Sequence, residues 1–175
     1  MKLLKWAYEK IKKKPAPYYY DYSLLTVIAK PFRKWLTVSL APGCPFNKVR
    51  ILLYRMAGFK IGKNVFIGMR CYLDDRAYQM LTIGDGVVVA YGVYFACHGE
   101  RQEDMPIVLG DGCYIGMRSS IISKNKDKSV FGVHIGEKAV IGACTFVNQD
   151  IPAGATAVGH PCRILPPKED SSQQL

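Results

Sequence analysis

The fold class that the sequence predicts is all-β: a left-handed parallel β-helix of hexapeptide repeats, preceded by a basic N-terminal extension. Two observations lead to it. Bulky apolar residues occupy twelve of fourteen positions that recur in steps of six from Ile61 onward, and Gly or Ala follows ten of the fourteen. These lead positions are Ile61, Ile67, Leu73, Ile83, Val89, Phe95, Leu109, Ile115, Ile121, Ile135, Ile141, Val147, Ala153 and Gly159.

Each six-residue unit is expected to form a short strand followed by a bend. Its lead side chain points into the core, and the small residue after it lets the backbone turn and lets neighbouring coils approach. Three units make one triangular coil, and stacked coils pair in parallel, so that each covers the edge of the last. A sheet sandwich is disfavoured because its strands alternate with period two and need hairpin turns.

Two interruptions of the repeat predict loops that leave the coils. The step from Leu109 to Ile135 exceeds a coil of three units by about eight residues, so the polar segment between Ile122 and Val133 must project outward. A second excursion follows His98, over Gly99–Pro106. The step from Ile135 to Ala153 equals three units and predicts one uninterrupted coil.

The chain is therefore divided into residues 1–60 as the extension, 61–165 as the β-helix and 166–175 as a polar tail. Within the extension, Met1–Lys14 is predicted to be a helix with one apolar stripe, ended by Pro15. Asn47–Phe59 is predicted to be a second helix that leads into the first coil. The apolar segment Leu24–Leu40 is interrupted by basic residues and is a poor transmembrane span.

The positive charge is concentrated in the extension. Residues 1–60 hold 13 Lys and Arg against two acids, a net charge of +11, whereas residues 61–175 hold 11 against 12, a net charge of −1. No nucleic-acid-binding module accompanies this bias. Two interpretations of residues 1–14 stay open: contact with an anionic membrane surface, with Trp6 and Tyr8 at the interface, or packing on protein.

The cysteines and the N-terminus predict a cytoplasmic protein, peripheral at the inner face of the cell membrane if residues 1–14 contact lipid. The start of the chain lacks the apolar run and cleavage site of a secretory signal. The six cysteines form no C-x-x-C pair and are expected to be reduced and mostly buried. They are Cys44, Cys71, Cys97, Cys113, Cys144 and Cys162.

Three histidines limit the search for catalytic groups. His98 ends a repeat unit and opens a polar loop, a good position for a general base. His134, at an outward strand position, and His160, in a Gly-x-Pro turn, are expected to be structural or surface residues.

From Ile61 to Leu165 the sequence resembles the hexapeptide-repeat O-acetyltransferases, which include galactoside and maltose acetyltransferases and enzymes of surface-polysaccharide synthesis. The stretches that carry the resemblance are Ile83–His98, Pro106–Gly116, Val133–Ala143, Asp150–Gly154 and Gly159–Ile164. The last of these is similar to the family's terminal G-x-P-[AC]-[KR]-x motif and is the most specific. The repeats alone specify a fold, not an activity.

The resemblance implies an acetyl-CoA-dependent O-acetyltransferase that acts on a sugar hydroxyl, as a homotrimer. His98 aligns with the family's general base, which takes the proton of the acceptor hydroxyl during direct transfer, without an acyl-enzyme. The carboxylates that could orient His98 are Asp74, Asp75, Glu100, Glu103 and Asp104. All of these except Asp104 also form the predicted substrate-binding set.

On the acetyl-CoA side, the resemblance gives six positions: Tyr114, Gly116, Ala143, Asn148, Gln149 and Arg163. Tyr114 stands where the family usually has Trp, Ala143 matches a backbone contact to the pantetheine arm, and Arg163 matches a residue that meets the nucleotide phosphates. Asn148 and Gln149 replace the usual Thr and Lys. Phosphate contacts are therefore fewer, or are supplied by lysines of the loop after Ile122.

Three alternatives remain beside this hypothesis. An amino-sugar N-acyltransferase would use the same fold and donor, and a non-catalytic β-helix scaffold would need neither His98 nor Arg163. The zinc carbonic anhydrases share the fold and use three histidines. His98 and His134 are separated by the length of six repeat units, but Ala139 stands where the third ligand is required. Two histidines do not make a catalytic zinc site, so no metal is expected.

Overall fold

The structure is a computed structural model that describes residues 2–15, 24–98, 103–123 and 132–165. It divides into two compact units, Met1–Trp35 and Leu36–Leu175. The first unit contains helix α1, Lys2–Lys12, and helix α2, Leu24–Trp35. Residues 36–60, which the sequence analysis grouped with the extension, lie in the second unit. No helix among the described residues is long and apolar enough to cross a membrane.

The second unit begins with helical segments that lead into the first coil. A π-helical turn, Leu36–Leu40, is followed by α3, Ala41–Gly43, and α4, Asn47–Met56. Helix α4 starts at the predicted residue and ends three residues earlier than predicted, where Gly58 takes the left-handed conformation at φ +100°.

Polar side chains of α4 tie it to the first coil. The amide of Asn47 donates to Val65 O (3.0 Å) and accepts from Ile67 N (3.1 Å). The buried guanidinium of Arg50 donates to Ile67 O (2.6 Å) and to Cys44 O. The bonds to Val65 O, Ile67 N and Ile67 O satisfy backbone groups of the first coil, so α4 covers one end of the stack.

In the described part of the chain, thirteen strands form three sheets along the stack. Sheet A contains β1 (Lys60–Ile61), β3 (Leu81–Ile83), β6 (Ile107–Leu109) and β9 (Val133–Ile135). Sheet B contains β2 (Phe66–Ile67), β4 (Val88–Val89), β7 (Tyr114–Ile115), β10 (Val140–Ile141), β12 (Thr156–Val158) and β13 (Arg163–Leu165). Sheet C contains β5 (Tyr94–Ala96), β8 (Ser120–Ile122) and β11 (Phe146–Val147). These strands pair in parallel except β12 with β13, which ends the stack.

The strand register confirms most of the predicted lead positions. Ile83 pairs with Leu109 and Leu109 with Ile135, and both steps are longer than three units. Successive lead side chains therefore stack as ladders, and those from Ile67 to Val147 are almost fully buried. Both predicted excursions are consequently confirmed as departures from the regular coil.

The last coil corrects the prediction at two positions. Ile135 pairs with Ile151 and Ile141 with Ala157, so this coil is two residues shorter than three full units. Ile151 and Ala157 are buried, while Ala153 and Gly159, the predicted lead positions, are exposed. Inward and outward side chains alternate along a strand. Because the coil is shorter by two residues, the buried positions move two residues earlier, from Ala153 to Ile151 and from Gly159 to Ala157.

Glycine after a lead position is required where two coils touch. A Cβ built on Gly68 would lie 2.6 Å from Ala90 C and 2.7 Å from Ala90 O. At Gly43 the same construction meets nothing within 4 Å. The small residue of the repeat therefore allows the backbones of successive coils to approach closely.

We expect Gly68→Ala to lower the free energy of unfolding by about 1–3 kcal/mol, because the neighbouring coil must shift to admit the methyl group. Urea unfolding followed by circular dichroism measures the change, with Gly43→Ala as the matched control. Equal stability of the two variants would contradict the contact described for Gly68.

Candidate active site

His98 lies at the corner where sheet C leads towards sheet A, two residues after β5. It forms an antiparallel bridge with Asp104, and Met105 N donates to Cys97 O (2.7 Å). Asp104 and Met105 therefore lie beside the end of the same strand. Residues 99–102, with the predicted substrate residue Glu100, lie outside the described part of the chain. Glu103, the next predicted substrate residue, is exposed.

The imidazole of His98 contacts the carboxylate of Asp74, with Nδ1 2.6 Å from Oδ2. Asp74 is fully buried, whereas about a third of the His98 side chain (32%) is exposed. Of the four predicted carboxylates that the structure describes, Asp74 is thus the one whose geometry fits the orientation of His98. Because Asp74 is buried, it has no exposed surface through which it could contact substrate, which was the other prediction for this residue.

Backbone donors fill the remaining acceptor positions of Asp74. Oδ1 accepts from Arg76 N (3.1 Å) and Ala77 N (3.3 Å), and Oδ2 also accepts from Cys97 N (2.8 Å). A group surrounded by three N–H donors must meet His98 as an acceptor, so Nδ1 carries the proton. Nε2 then keeps its lone pair, which is the form that a general base requires.

Side chains that the sequence analysis did not select lie beside this pair. The Tyr72 hydroxyl donates to Asp75 Oδ1 (3.0 Å), and the Tyr72 ring stacks on Tyr94 with centroids 4.6 Å apart. Arg76 lies 3.6 Å from Asp104. Tyr72 and Tyr94 directly precede the lead residues Leu73 and Phe95, so the phase of the repeat already places them on the outside.

Cys97, although adjacent to His98, is a poor nucleophile. Burial, reinforced by the charges of Asp74 and Asp104, raises the pKa of its thiol to about 12. Burial likewise raises the pKa of the Cys113 thiol to about 12. Because the thiolate is the reactive form, neither residue is suited to covalent catalysis at neutral pH.

The residues predicted for acetyl-CoA lie elsewhere in the β-helix. Tyr114 (44% exposed) is on the outer side of sheet B, and the buried Gly116 and the exposed Ala143 follow β7 and β10 at the corner between sheets B and C. Arg163 is exposed on β13. These four positions share one side of the stack, separated from His98 by the width of sheet C.

Asn148 and Gln149 stand at the next corner, after β11, and both are partly buried. The Gln149 amide donates to Cys162 Sγ (3.4 Å), which links this corner to the Gly-x-Pro-Cys-Arg run. Nothing in these contacts assigns either residue to a ligand.

The other histidines have protein partners. His134 Nδ1 lies 3.6 Å from Asp150 Oδ1, and the His160 ring contacts Phe146 at 4.8 Å between centroids. Among the described residues, no group of three His, Cys, Asp or Glu side chains is placed to hold a metal ion.

Comparison with known proteins connects this geometry to one family. A family profile described as the hexapeptide repeat of succinyl-transferase matches residues 59–95 and 106–149. YvoF of Bacillus subtilis, a provisionally named acetyltransferase, is 27% identical over 150 residues, 83% of each chain. Galactoside O-acetyltransferase of Escherichia coli is 32% identical over 124 residues, 61% of this chain and 56% of that protein. The chain thus spans most of the first relative and just over half of the second.

A solved structure gives the fold independently. A hexapeptide-repeat acetyltransferase of Vibrio cholerae, complexed with acetyl-CoA, superimposes with a TM-score of 0.65 over 85% of this chain and 91% of that chain, at 24% identity. At that level of identity the likeness concerns the fold alone, and it implies a left-handed β-helix for the stacked coils described above.

Proposed function

Because the chain is similar to hexapeptide-repeat acetyltransferases, we propose that it transfers an acetyl group from acetyl-CoA to a sugar hydroxyl. The observation that carries the proposal is the His98–Asp74 pair, a partly exposed imidazole whose Nδ1 lies 2.6 Å from a buried carboxylate oxygen. We place the reaction in the cytoplasm, in the synthesis of a surface polysaccharide or other glycan.

In the proposed reaction, His98 Nε2 accepts the hydroxyl proton while the acceptor oxygen attacks the thioester carbonyl carbon. The carbon–sulfur bond then breaks, and protonated His98 returns that proton to the departing thiolate. The products are the acetyl ester and CoA with a free thiol. A positioned base contributes about 10²–10⁴-fold to such a step, and binding both substrates side by side contributes through proximity.

A sugar acceptor is supported by the groups around His98. Carboxylates such as Asp75 and Glu103 can accept hydrogen bonds from hydroxyls, and the exposed Tyr94 ring offers an apolar face. The name of the galactoside relative points to the same class of acceptor. In this proposal, Glu100 and Glu103 belong to the acceptor side, and Asp74 acts through His98.

The surface on the other side of sheet C fits acetyl-CoA. Tyr114 presents an aromatic ring, and Ala143 is exposed and small, so an extended arm can approach the backbone there. Gly116 lies at the same corner, Asn148 and Gln149 at the next one, and Arg163 supplies a permanent positive charge. When bound, acetyl-CoA would supply the activated acetyl group.

We expect Arg163→Ala to raise KM for acetyl-CoA by about tenfold or more while kcat changes little. A hydrogen bond to a charged group contributes about 1.5–3 kcal/mol, and a phosphate far from the reacting carbon contributes equally in the ground and transition states. Initial rates at varied acetyl-CoA measure the effect. Lys63→Ala, an exposed cation of the first coil, is the matched control. An unchanged KM in Arg163→Ala would remove this residue from the phosphate site.

The separation of the two groups of residues supports a homotrimer. His98 and Ala143 lie at different corners of one chain, and the outer side of sheet B exposes Phe66, Tyr114 and Val140. A neighbouring copy packed at these faces would cover apolar surface and bring one chain's base to another chain's acetyl-CoA.

For residues 1–14 we propose contact with an anionic membrane surface. Helix α1 holds four lysines and one acid, with Trp6 and Ile11 exposed. Removal of residues 1–14 should reduce co-sedimentation with vesicles that contain phosphatidylglycerol, because lysines near such a surface attract its phosphates. Equal binding by the full and shortened chains would contradict this contact.

The experiment that tests the activity is release of CoA thiol from acetyl-CoA in the presence of a panel of sugars, sugar nucleotides and glycans. Loss of the acetyl group from the product in hydroxylamine would identify an ester and exclude the N-acyl alternative. No thiol release above background with any acceptor would favour a scaffold.

A further inference from the structure

Helix α4 is apolar on the side that faces solvent. At about 100° per residue, Val49, Leu52 and Met56 lie within an arc of about 60°. Their side chains are 44%, 56% and 68% exposed, and Phe46, which directly precedes the helix, is 70% exposed. We call these four residues the α4 outer face.

The opposite side of the same helix is already packed. Arg50, Ile51 and Tyr54 are buried, and the Tyr54 hydroxyl donates to Cys71 O (3.4 Å). A surface helix normally presents polar residues to water, whereas α4 presents a contiguous group of apolar side chains there. The α4 outer face is therefore a contact surface rather than an ordinary solvated one.

The sequence that contains this face is rich in cations. Between Asp21 and Asp74 the sequence holds nine Lys and Arg and no Asp or Glu. Lys48 and Arg55 lie on the flank of α4 next to the outer face, and Lys60 begins β1 just beyond the helix; all three are exposed. Arg55 donates from Nε to Ile61 O (3.3 Å) and from Nη2 to Gly62 O, and both partners are uncharged. An apolar stripe flanked by Lys48, Arg55 and Lys60 is complementary to a surface that is apolar beneath a layer of anions.

We propose that the α4 outer face docks on an anionic lipid bilayer, with its apolar side chains at the acyl boundary and Lys48, Arg55 and Lys60 among the headgroup phosphates. A second copy of this chain is a poorer occupant. A two-fold contact through this face would bring the flanking cations of both copies, Lys48, Arg55 and Lys60, into one interface, where the face itself supplies no acid. This surface lies in the β-helix unit and is distinct from the contact proposed for residues 1–14.

Flotation of the full chain with vesicles tests the proposal. We expect binding to vesicles that contain phosphatidylglycerol, weaker binding to phosphatidylcholine alone, and loss of the difference at high salt. Leu52→Glu with Met56→Glu should weaken binding about tenfold or more, since two charges then enter the apolar boundary. Lys48→Glu should weaken vesicle binding by a smaller factor that disappears at high salt. Lys48→Arg, which keeps the positive charge, should bind as the wild type does.

The control for the double variant is Met117→Glu with Tyr91→Glu, which places the same two charges at exposed side chains in another part of the β-helix. Thermal unfolding of each variant establishes that it is folded. The proposal is overturned if the intact chain does not float with anionic vesicles, or if Leu52→Glu with Met56→Glu floats as the wild type does. It is also overturned if that variant changes the mass of the particle in sedimentation, because the face would then be covered by a second copy.

Discussion

Replacement of His98 by alanine should lower kcat for acetyl transfer by about 10²–10⁴-fold, the range that a positioned general base contributes. KM for acetyl-CoA should stay nearly constant, because the residues proposed to bind that substrate lie across sheet C from His98. The side chain is partly exposed, so its removal leaves no cavity in the ladders of buried lead residues. Initial-rate kinetics of thiol release measure both parameters.

His134→Ala is the matched control for this variant. His134 is also a partly exposed histidine at a strand of the β-helix, and it too lies near a carboxylate, Asp150. We expect its replacement to leave kcat unchanged. If His98→Ala transferred acetyl groups at the wild-type rate, the proposed mechanism would be wrong, whatever the acceptor proved to be.

The ladders of the β-helix could be predicted from sequence because a bulky apolar residue at each lead position indicates that its side chain is buried. A step of six with a small residue at fixed phase specifies an inward side chain and a bend, and this held from Ile67 to Val147. The prediction failed only in the last coil, where the steps Ile135–Ile151 and Ile141–Ala157 are shorter than three units. Small residues normally occupy the position next to a lead residue, and Ala153 and Gly159 are of this kind. The residue types alone therefore could not show that the last coil is shorter.

The partner of His98 could not be chosen from sequence, because the choice depends on how the first coil stacks on the second. Tyr72 bridges to Tyr94, a step longer than three units, which sets Asp74 beside the end of β5. The additional residues are taken up after Asp74, where its carboxylate accepts from Arg76 N and Ala77 N. Which carboxylate lies under His98 is thus decided by a local turn rather than by the repeat.

The α4 outer face could not be predicted from sequence for a related reason. The sequence Asn47–Met56 is apolar enough to predict a helix that packs on the first coil, and it does so through Ile51 and Tyr54. Only the structure shows which of its apolar residues are left over. The buried Arg50 was equally unexpected, since its role is to donate to the backbone carbonyls of Ile67 and Cys44.

Asp74→Asn should lower kcat by about 10²–10⁴-fold, nearly as much as loss of His98 itself, although the two side chains are almost identical in shape. An amide offers one acceptor oxygen and one NH₂ donor in place of two acceptors. If the NH₂ faces His98, it donates to Nδ1 and forces the proton onto Nε2, where the base is needed, and Cys97 N loses its acceptor. In catalytic triads, the wrong tautomer produced by the same substitution costs about 10⁴-fold.

The opposite orientation of the amide is also unfavourable. Its NH₂ would then face Arg76 N and Ala77 N, and two buried donors would lose their acceptor. An unsatisfied buried group costs about 1–3 kcal/mol, so the variant should also lose stability. Nitrogen chemical shifts of the His98 ring distinguish these cases, because they report which ring nitrogen carries the proton.

Asp75→Asn is the control for this variant, because it makes the same chemical change one residue later at a side chain that hydrogen-bonds Tyr72 rather than His98. We expect it to alter the dependence of rate on acceptor concentration and to leave the His98 tautomer as it is. An Asp74→Asn variant with wild-type kcat and an unchanged ring spectrum would show that Asp74 only supports the local turn. A fall in kcat together with a proton on Nε2 would assign it to positioning the base, since a merely structural role would lower stability without changing the tautomer.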